Sequence, residues 1–164
     1  MLASREIVKG TGQGEFNPNQ EITRAQFVHM LMSALDLKGT NTGTDFTDIP
    51  QDSWYFASVS IAKQLGIVTG RSDGKFDGNA TITREEMAVL VYRAAMAAKL
   101  LNDEVIGNKT GFTDEAALSS YAKDAIQLMN NKGIIQGVGN SQFQPKGLAT
   151  RAQASKVIYE ILSL

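Results

Sequence analysis

Apolar residues recur three times along this chain at helical spacing. Phe27, Met30, Leu31, Ala34 and Leu35 fall at i, i+3, i+4, i+7 and i+8. The same order returns at Met87, Leu90, Val91, Ala94 and Ala95, and at Ala154, Val157, Ile158, Ile161 and Leu162. That spacing lines one face of an α-helix. Two weaker stretches precede the second and third stripes. One runs from about Trp54 to Leu65 with Ile61, Ala62 and Leu65; the other runs from about Tyr121 to Lys132 with Ala122, Ala125, Ile126 and Met129. Gly66 and Gly133 follow them as natural helix stops. Arg71-Ser72-Asp73-Gly74-Lys75-Phe76 and its counterparts, between the weak and strong stretches, are turn chemistry. A few extended residues around Phe16, Phe76 and Phe143 are placed to pair, but no long strand is encoded. The prediction is a mainly α chain of helix-loop-helix units whose three strong stripes bury against one another.

The units are repeats. Ile22-Thr23-Arg24-Ala25-Gln26 returns as Ile82-Thr83-Arg84-Glu85-Glu86 and as Ala149-Thr150-Arg151-Ala152-Gln153. Gly10, Gly70 and Gly137 each stand six residues before Phe16, Phe76 and Phe143. Phe46-Thr47-Asp48 returns as Phe112-Thr113-Asp114, and Trp54 and Tyr121 share one repeat position. The second and third units differ in length by an insertion in Lys99–Gly111, a polar connector. Nothing precedes Ile7-Val8-Lys9-Gly10 to match Phe46–Gly66. The organisation expected is therefore one domain over 1–164: a partial first repeat (1–45), a second (46–111) and a third (112–164). The missing half-repeat predicts exposed apolar surface, met by self-association or by Met1–Lys9 lying across the gap.

Composition narrows the function. Sixteen Lys and Arg against 17 Asp and Glu leave a net charge of −1, without the basic excess of a nucleic-acid binder or a membrane-surface protein. No apolar run approaches a bilayer span, so no membrane insertion is expected. With no cysteine there is no disulfide, thiol nucleophile or zinc-thiolate site. The opening residues carry no signal-peptide core, so export would rest on a signal elsewhere.

Thr23, Thr83 and Thr150 stand just ahead of the stripes, with Gln26, Glu86 and Gln153 three residues on, which is the capping-box pattern. Arg24, Arg84 and Arg151 then occupy the first helical position, where a cation is mildly unfavourable. Three in register point to a compensating partner. An anion held by the arginine and free helix amides is one; ion pairs to Asp48, Asp114 or Asp73 are the other. Trp54 and Tyr121 suit either core packing or a wall for a sugar ring. Asp48 and Asp114 suit the turn before the first helix of each unit. Gly70 and Gly137 are expected to serve backbone conformation or close ligand approach. Ser72-Asp73-Gly74 lacks the further oxygen ligands of a calcium loop, and His29 has no nucleophile or carboxylate motif beside it. No catalytic constellation, metal site or cofactor motif is visible.

These motifs resemble the S-layer homology (SLH) repeat: Phe-x-Asp, an aromatic eight or nine residues later, Gly-Ile-[Val/Ile]-x-Gly, a loop to Phe, and Ile-Thr-Arg-[Ala/Glu]-[Gln/Glu]. The resemblance covers nearly the whole chain. It implies three repeats packed as a pseudo-threefold bundle around their second helices, with grooves between neighbours. It further implies a secreted, non-catalytic module that anchors surface-layer proteins and enzymes to acidic secondary cell-wall polymers, often pyruvylated. On that basis Arg24, Arg84 and Arg151 grip the acidic glycan. Thr23, Thr83, Thr150, Asp48 and Asp114 hold hydroxyls, Trp54 or Tyr121 flanks the sugar, and Gly70 and Gly137 line the approach. The alternative is a helical-repeat module that binds protein. Three arginines against two first helices leave at most two complete grooves.

Overall fold

A computed structural model describes residues 16–40, 43–71, 73–102 and 110–164. They form five α-helices: α1 (Arg24–Ala34), α2 (Phe56–Gln64), α3 (Arg84–Ala97), α4 (Lys123–Asn131) and α5 (Arg151–Ile161). Short 3-10 turns at Glu115–Ala117 and Ser120–Ala122 lead into α4. The chain is mainly α, and the three strong stripes are α1, α3 and α5. Each of these three starts at an extended threonine whose hydroxyl accepts the N3 amide, while the N3 Gln or Glu accepts the cap amide. The two weaker helices lack such caps and begin about two residues later than their apolar pattern suggests, at Phe56 and Lys123. Both stop where expected, at Gly66 and Gly133, with φ of 71° and 73°.

Packing alternates between units. α2 lies on α1 and α4 on α3, so the first helix of one unit covers the second helix of the unit before. α1, α3 and α5 also touch one another pairwise. Phe27, Leu31, Met87, Val91, Ile158 and Ile161 are fully buried there, with Phe76 and Phe143.

The segments that approach the three cap threonines close a cycle of backbone hydrogen bonds. The Ile22 amide donates to Ala149 (3.0 Å), the Ala149 amide to Ile82 (2.9 Å), and the Ile82 amide to Ile22 (3.1 Å). The bridges Glu21–Thr150, Thr23–Thr81 and Thr83–Leu148 flank this cycle. The extended pairing therefore falls mainly at the helix approaches. Beside Phe143 there is one bridge, Gly139–Gln142, and beside Phe76 the Arg71 amide donates to Lys75 (2.8 Å), but the two phenylalanines themselves do not pair. The reason is local: the amides of those phenylalanines are already taken by carboxylates, Asp48 at 2.8 Å and Asp114 at 2.8 Å. The exposed apolar surface expected on the first unit's helix or on a neighbour is not found on α1, which α2 covers. Among the described residues α5 has no such covering helix, and Tyr159 and Leu164 at its end are exposed. Gly10 and the segment Met1–Lys9 lie outside the described residues.

Candidate functional site

Each motif arginine reaches out of its own unit. Arg24 donates from Nε to the Phe76 carbonyl (3.0 Å), Arg84 to Phe143 (2.8 Å) and Arg151 to Phe16 (3.0 Å). Each guanidinium also lies over the ring of that phenylalanine, 5.2, 4.7 and 5.3 Å from its centre. All three arginines are buried. Burial lowers the pKa of Arg24, opposed by Glu86, and lowers that of Arg84, opposed by Asp114.

The first-turn amides are occupied as well. Those of Arg24, Arg84 and Arg151 donate to Ala80, Gly147 and Gln20; those of Ala25, Glu85 and Ala152 donate to Gly78, Pro145 and Pro18. Together with the capping boxes this satisfies the start of each helix. The free amides expected for an anion are therefore not available. The carboxylate alternative is corrected at Arg24, which pairs with Glu86 (3.2 Å) and not with one of the three aspartates expected, while the charge of Asp114 does act on Arg84. Asp73 instead pairs with Lys75 (3.2 Å). Asp48 and Asp114 each spend both oxygens on backbone amides, of Phe76 and Asp77 and of Phe143 and Gln144. Those contacts fasten the left-handed residues Asp77 and Gln144, each with φ of 56°. The Asp114 carboxyl is held below its ordinary pKa: its burial opposes this, but the two amides outweigh it.

Among the described residues, two grooves lie between the units. The larger, about 470 Å³, is lined by Arg24, Thr69, Gly70, Arg71, Glu86, Val89, Leu90, Arg93 and Tyr121. The first unit gives it Arg24, the second its loop and one face of α3, and the third Tyr121. Arg71 bonds Asp77 (2.6 Å) and lies 3.5 Å from Glu86. Arg93 donates to the Ile67 carbonyl and to Thr69 Oγ1. The smaller groove, about 260 Å³, joins Arg84 to Gln136, Gly137, Val138, Gln153 and Lys156. There Arg84 donates to the Gln136 carbonyl (2.9 Å) and Lys156 to Gln136 Oε1 (2.7 Å). Val138 and Gln153 stand where the larger groove has Arg71 and Glu86.

Trp54 and Tyr121 are 60 % and 56 % exposed, so core packing is not their role. Only Tyr121 lines the Arg24 groove. Trp54 packs edge-on against His29, 5.3 Å between centres, and His29 Nδ1 lies 2.8 Å from Ser58 Oγ. At Gly70, with φ of 77°, an added Cβ would stand 2.3 Å from the Phe46 ring. Gly137 is different: its backbone is not left-handed, and the obstacle is the Gln142 carbonyl at 2.6 Å. The sequence reading missed Arg71, Arg93 and Glu85. For Arg93 a signal existed, since Glu86, Val89, Leu90 and Arg93 fall on one face of α3.

The fold and the site define a repeat module in which neighbouring units share side chains. The family described as S-layer homology domain matches residues 1–28, 45–88 and 111–155, and the chain belongs to that family. It is 37% identical over 163 residues to an amylopullulanase of Thermoanaerobacterium thermosulfurigenes, covering 99% of this chain and 9% of that protein. It is 37% identical to exoglucanase XynX of Acetivibrio thermocellus, over 99% of this chain and 15% of that protein. It is 31% identical to S-layer protein sap of Bacillus anthracis, over 96% of this chain and 19% of that protein. The chain thus spans less than a fifth of each of these relatives. The family and its S-layer relatives mark it as a secreted, cell-wall- or S-layer-associated module. No helix among the described residues is long and apolar enough to cross a membrane.

Proposed function

We propose that this chain is a non-catalytic anchor that holds its parent protein to an acidic, pyruvylated cell-wall polysaccharide, and that the Arg24 groove is its principal binding site. The observation that carries this is the convergence of Arg24, Arg71, Arg93 and Tyr121 on one groove. Arginines recognise a carboxylate through paired N–H donors, and an exposed aromatic ring presents a flat apolar face to a sugar. Arg24 fixes the groove floor, while Arg71 and Arg93 supply charge at its rim. The Arg84 groove, with Gly137 and Lys156, is a weaker second site. Arg151 holds the junction back to Phe16, and Trp54 packs against His29. Thr23, Thr83, Thr150, Asp48 and Asp114 serve by building the helix starts and loops that frame these grooves.

The test is sedimentation with purified cell-wall sacculi before and after chemical removal of the acidic polymer. Retention lost on stripped sacculi, and reduced about tenfold by Arg71→Ala with Arg93→Ala at unchanged melting temperature, is the expected result. Equal retention on stripped sacculi refutes the reading and favours a protein-binding module.

A further inference from the structure

Glu85 differs in kind from its equivalents in the other two motifs. The second helical position is Ala25 in α1 and Ala152 in α5, but in α3 it is a carboxylate, 3 % exposed. Its Oε1 accepts from the Lys146 ammonium, from Ser119 Oγ (2.9 Å) and from the Tyr121 hydroxyl (3.2 Å). Its Oε2 accepts the Ser119 amide (3.2 Å). Every one of these donors belongs to the third unit. A buried carboxylate survives only when paired and hydrogen-bonded, and here it is both. It also sits in the first turn of α3, where negative charge is favoured.

The consequence lies at the other end of Tyr121. The hydroxyl is held at Glu85, while the ring is more than half exposed and lines the Arg24 groove. A tyrosine on an exposed turn ordinarily samples several rotamers. Fixing its tip restricts the ring to one placement, and a ring already in place spares a ligand the entropy of ordering it. We infer that Glu85 is a positioning residue for the glycan site: by tethering the Tyr121 hydroxyl it sets the ring against which the sugar stacks in the Arg24 groove. The inference rests on the anchor reading and assigns that site a residue which cannot touch the ligand. The titration state agrees. Burial and the neighbouring Glu85 carboxylate push the Tyr121 hydroxyl up to about 12, so it stays a donor across the physiological range. In Glu85 itself, burial is outweighed by hydrogen bonds from Lys146 and Ser119, which hold its carboxyl below the ordinary range.

The experiment is titration calorimetry of the whole chain with a pyruvylated amino sugar, beside saturation-transfer NMR from the aromatic ring to the sugar. Glu85→Ala should bind about tenfold more weakly and lose ring-to-sugar transfer. The substitution reproduces the alanine that α1 and α5 carry at the same place. Tyr121→Phe keeps the ring and removes only the tether, so it should lose a similar factor. Should Glu85→Ala fail to fold, Tyr121→Phe carries the test alone. The double variant should bind no more weakly than either single one, and Glu85→Gln, which retains an acceptor oxygen, should recover most of the loss. Wild-type affinity in Tyr121→Phe, or in a folded Glu85→Ala, overturns the positioning role while leaving the anchor intact. Failure of the wild-type protein to bind the sugar overturns the anchor reading, and this inference with it.

Discussion

Arg84 turns its donors inward. Its guanidinium holds two carbonyls of the third unit, Phe143 and Gln136, and covers a phenyl ring. The cost of a cation at a helix start is thus offset by protein acceptors and a π face. Arg84→Ala leaves those carbonyls without their donor. It should therefore destabilise the fold by about 2–4 kcal/mol, from two charge-assisted bonds and one cation–π contact. Thermal melts should read this directly. Arg84→Lys should recover less than half, because one ammonium cannot reproduce the planar fork. The position of the arginine and its register with Arg24 and Arg151 were legible from sequence. Its destination was not, because the partner stands 59 residues away and no local pattern names it. Gly70 was legible as a special backbone position, but the Phe46 ring against it was not. Gly70→Val should lower the melting temperature sharply, since both the positive φ and that ring oppose a side chain.

Between residues and fold, each element is defined by how its ends are satisfied. The three capping boxes were readable because Thr-x-x-Gln/Glu acts within four residues. The clamps by Asp48 and Asp114 were readable only as turn residues, since the amides they bind lie almost thirty positions on. The Asp114 clamp gives its loop a pH dependence. The folded pKa of Asp114 is depressed, so the unfolded chain binds the proton more readily and stability rises with pH. The contribution is complete above the ordinary carboxyl value of about 4 and is lost as pH falls through the lower folded value. Glu85 has the same sign. Melting temperature should drop on acidification below about pH 4.5, and Asp114→Asn should flatten that dependence by removing a titrating carboxyl.

Across the whole molecule, every junction repeats one exchange: an arginine and two helix amides from one unit, three carbonyls from the next. The last exchange runs from Arg151 back to Phe16 and Gln20. Arg151→Ala should therefore act beyond its own contacts. Hydrogen exchange should speed up at the amides of Ile22, Ala149 and Ile82 together, because their bonds form one cycle. Faster exchange at Ile22 alone would mean that the junctions act independently. The five helices among the described residues and the α character followed from periodicity. The handing-on of side chains between units did not, since periodicity describes one unit at a time. The same exchange has a consequence in terms of symmetry. It is a head-to-tail interface, donor face against acceptor face, closed by the return from the third unit to the first. Such interfaces form closed rings only when the count is right and otherwise run on without end. A fragment holding residues 46–164 alone would carry one bare donor face, at Arg151, and one bare acceptor face, at Phe76. These faces are mutually complementary and sit on the same molecule. Light scattering of that fragment should grow with concentration as copies add end to end, and the separately expressed first unit should cap the chains and return them to a single size.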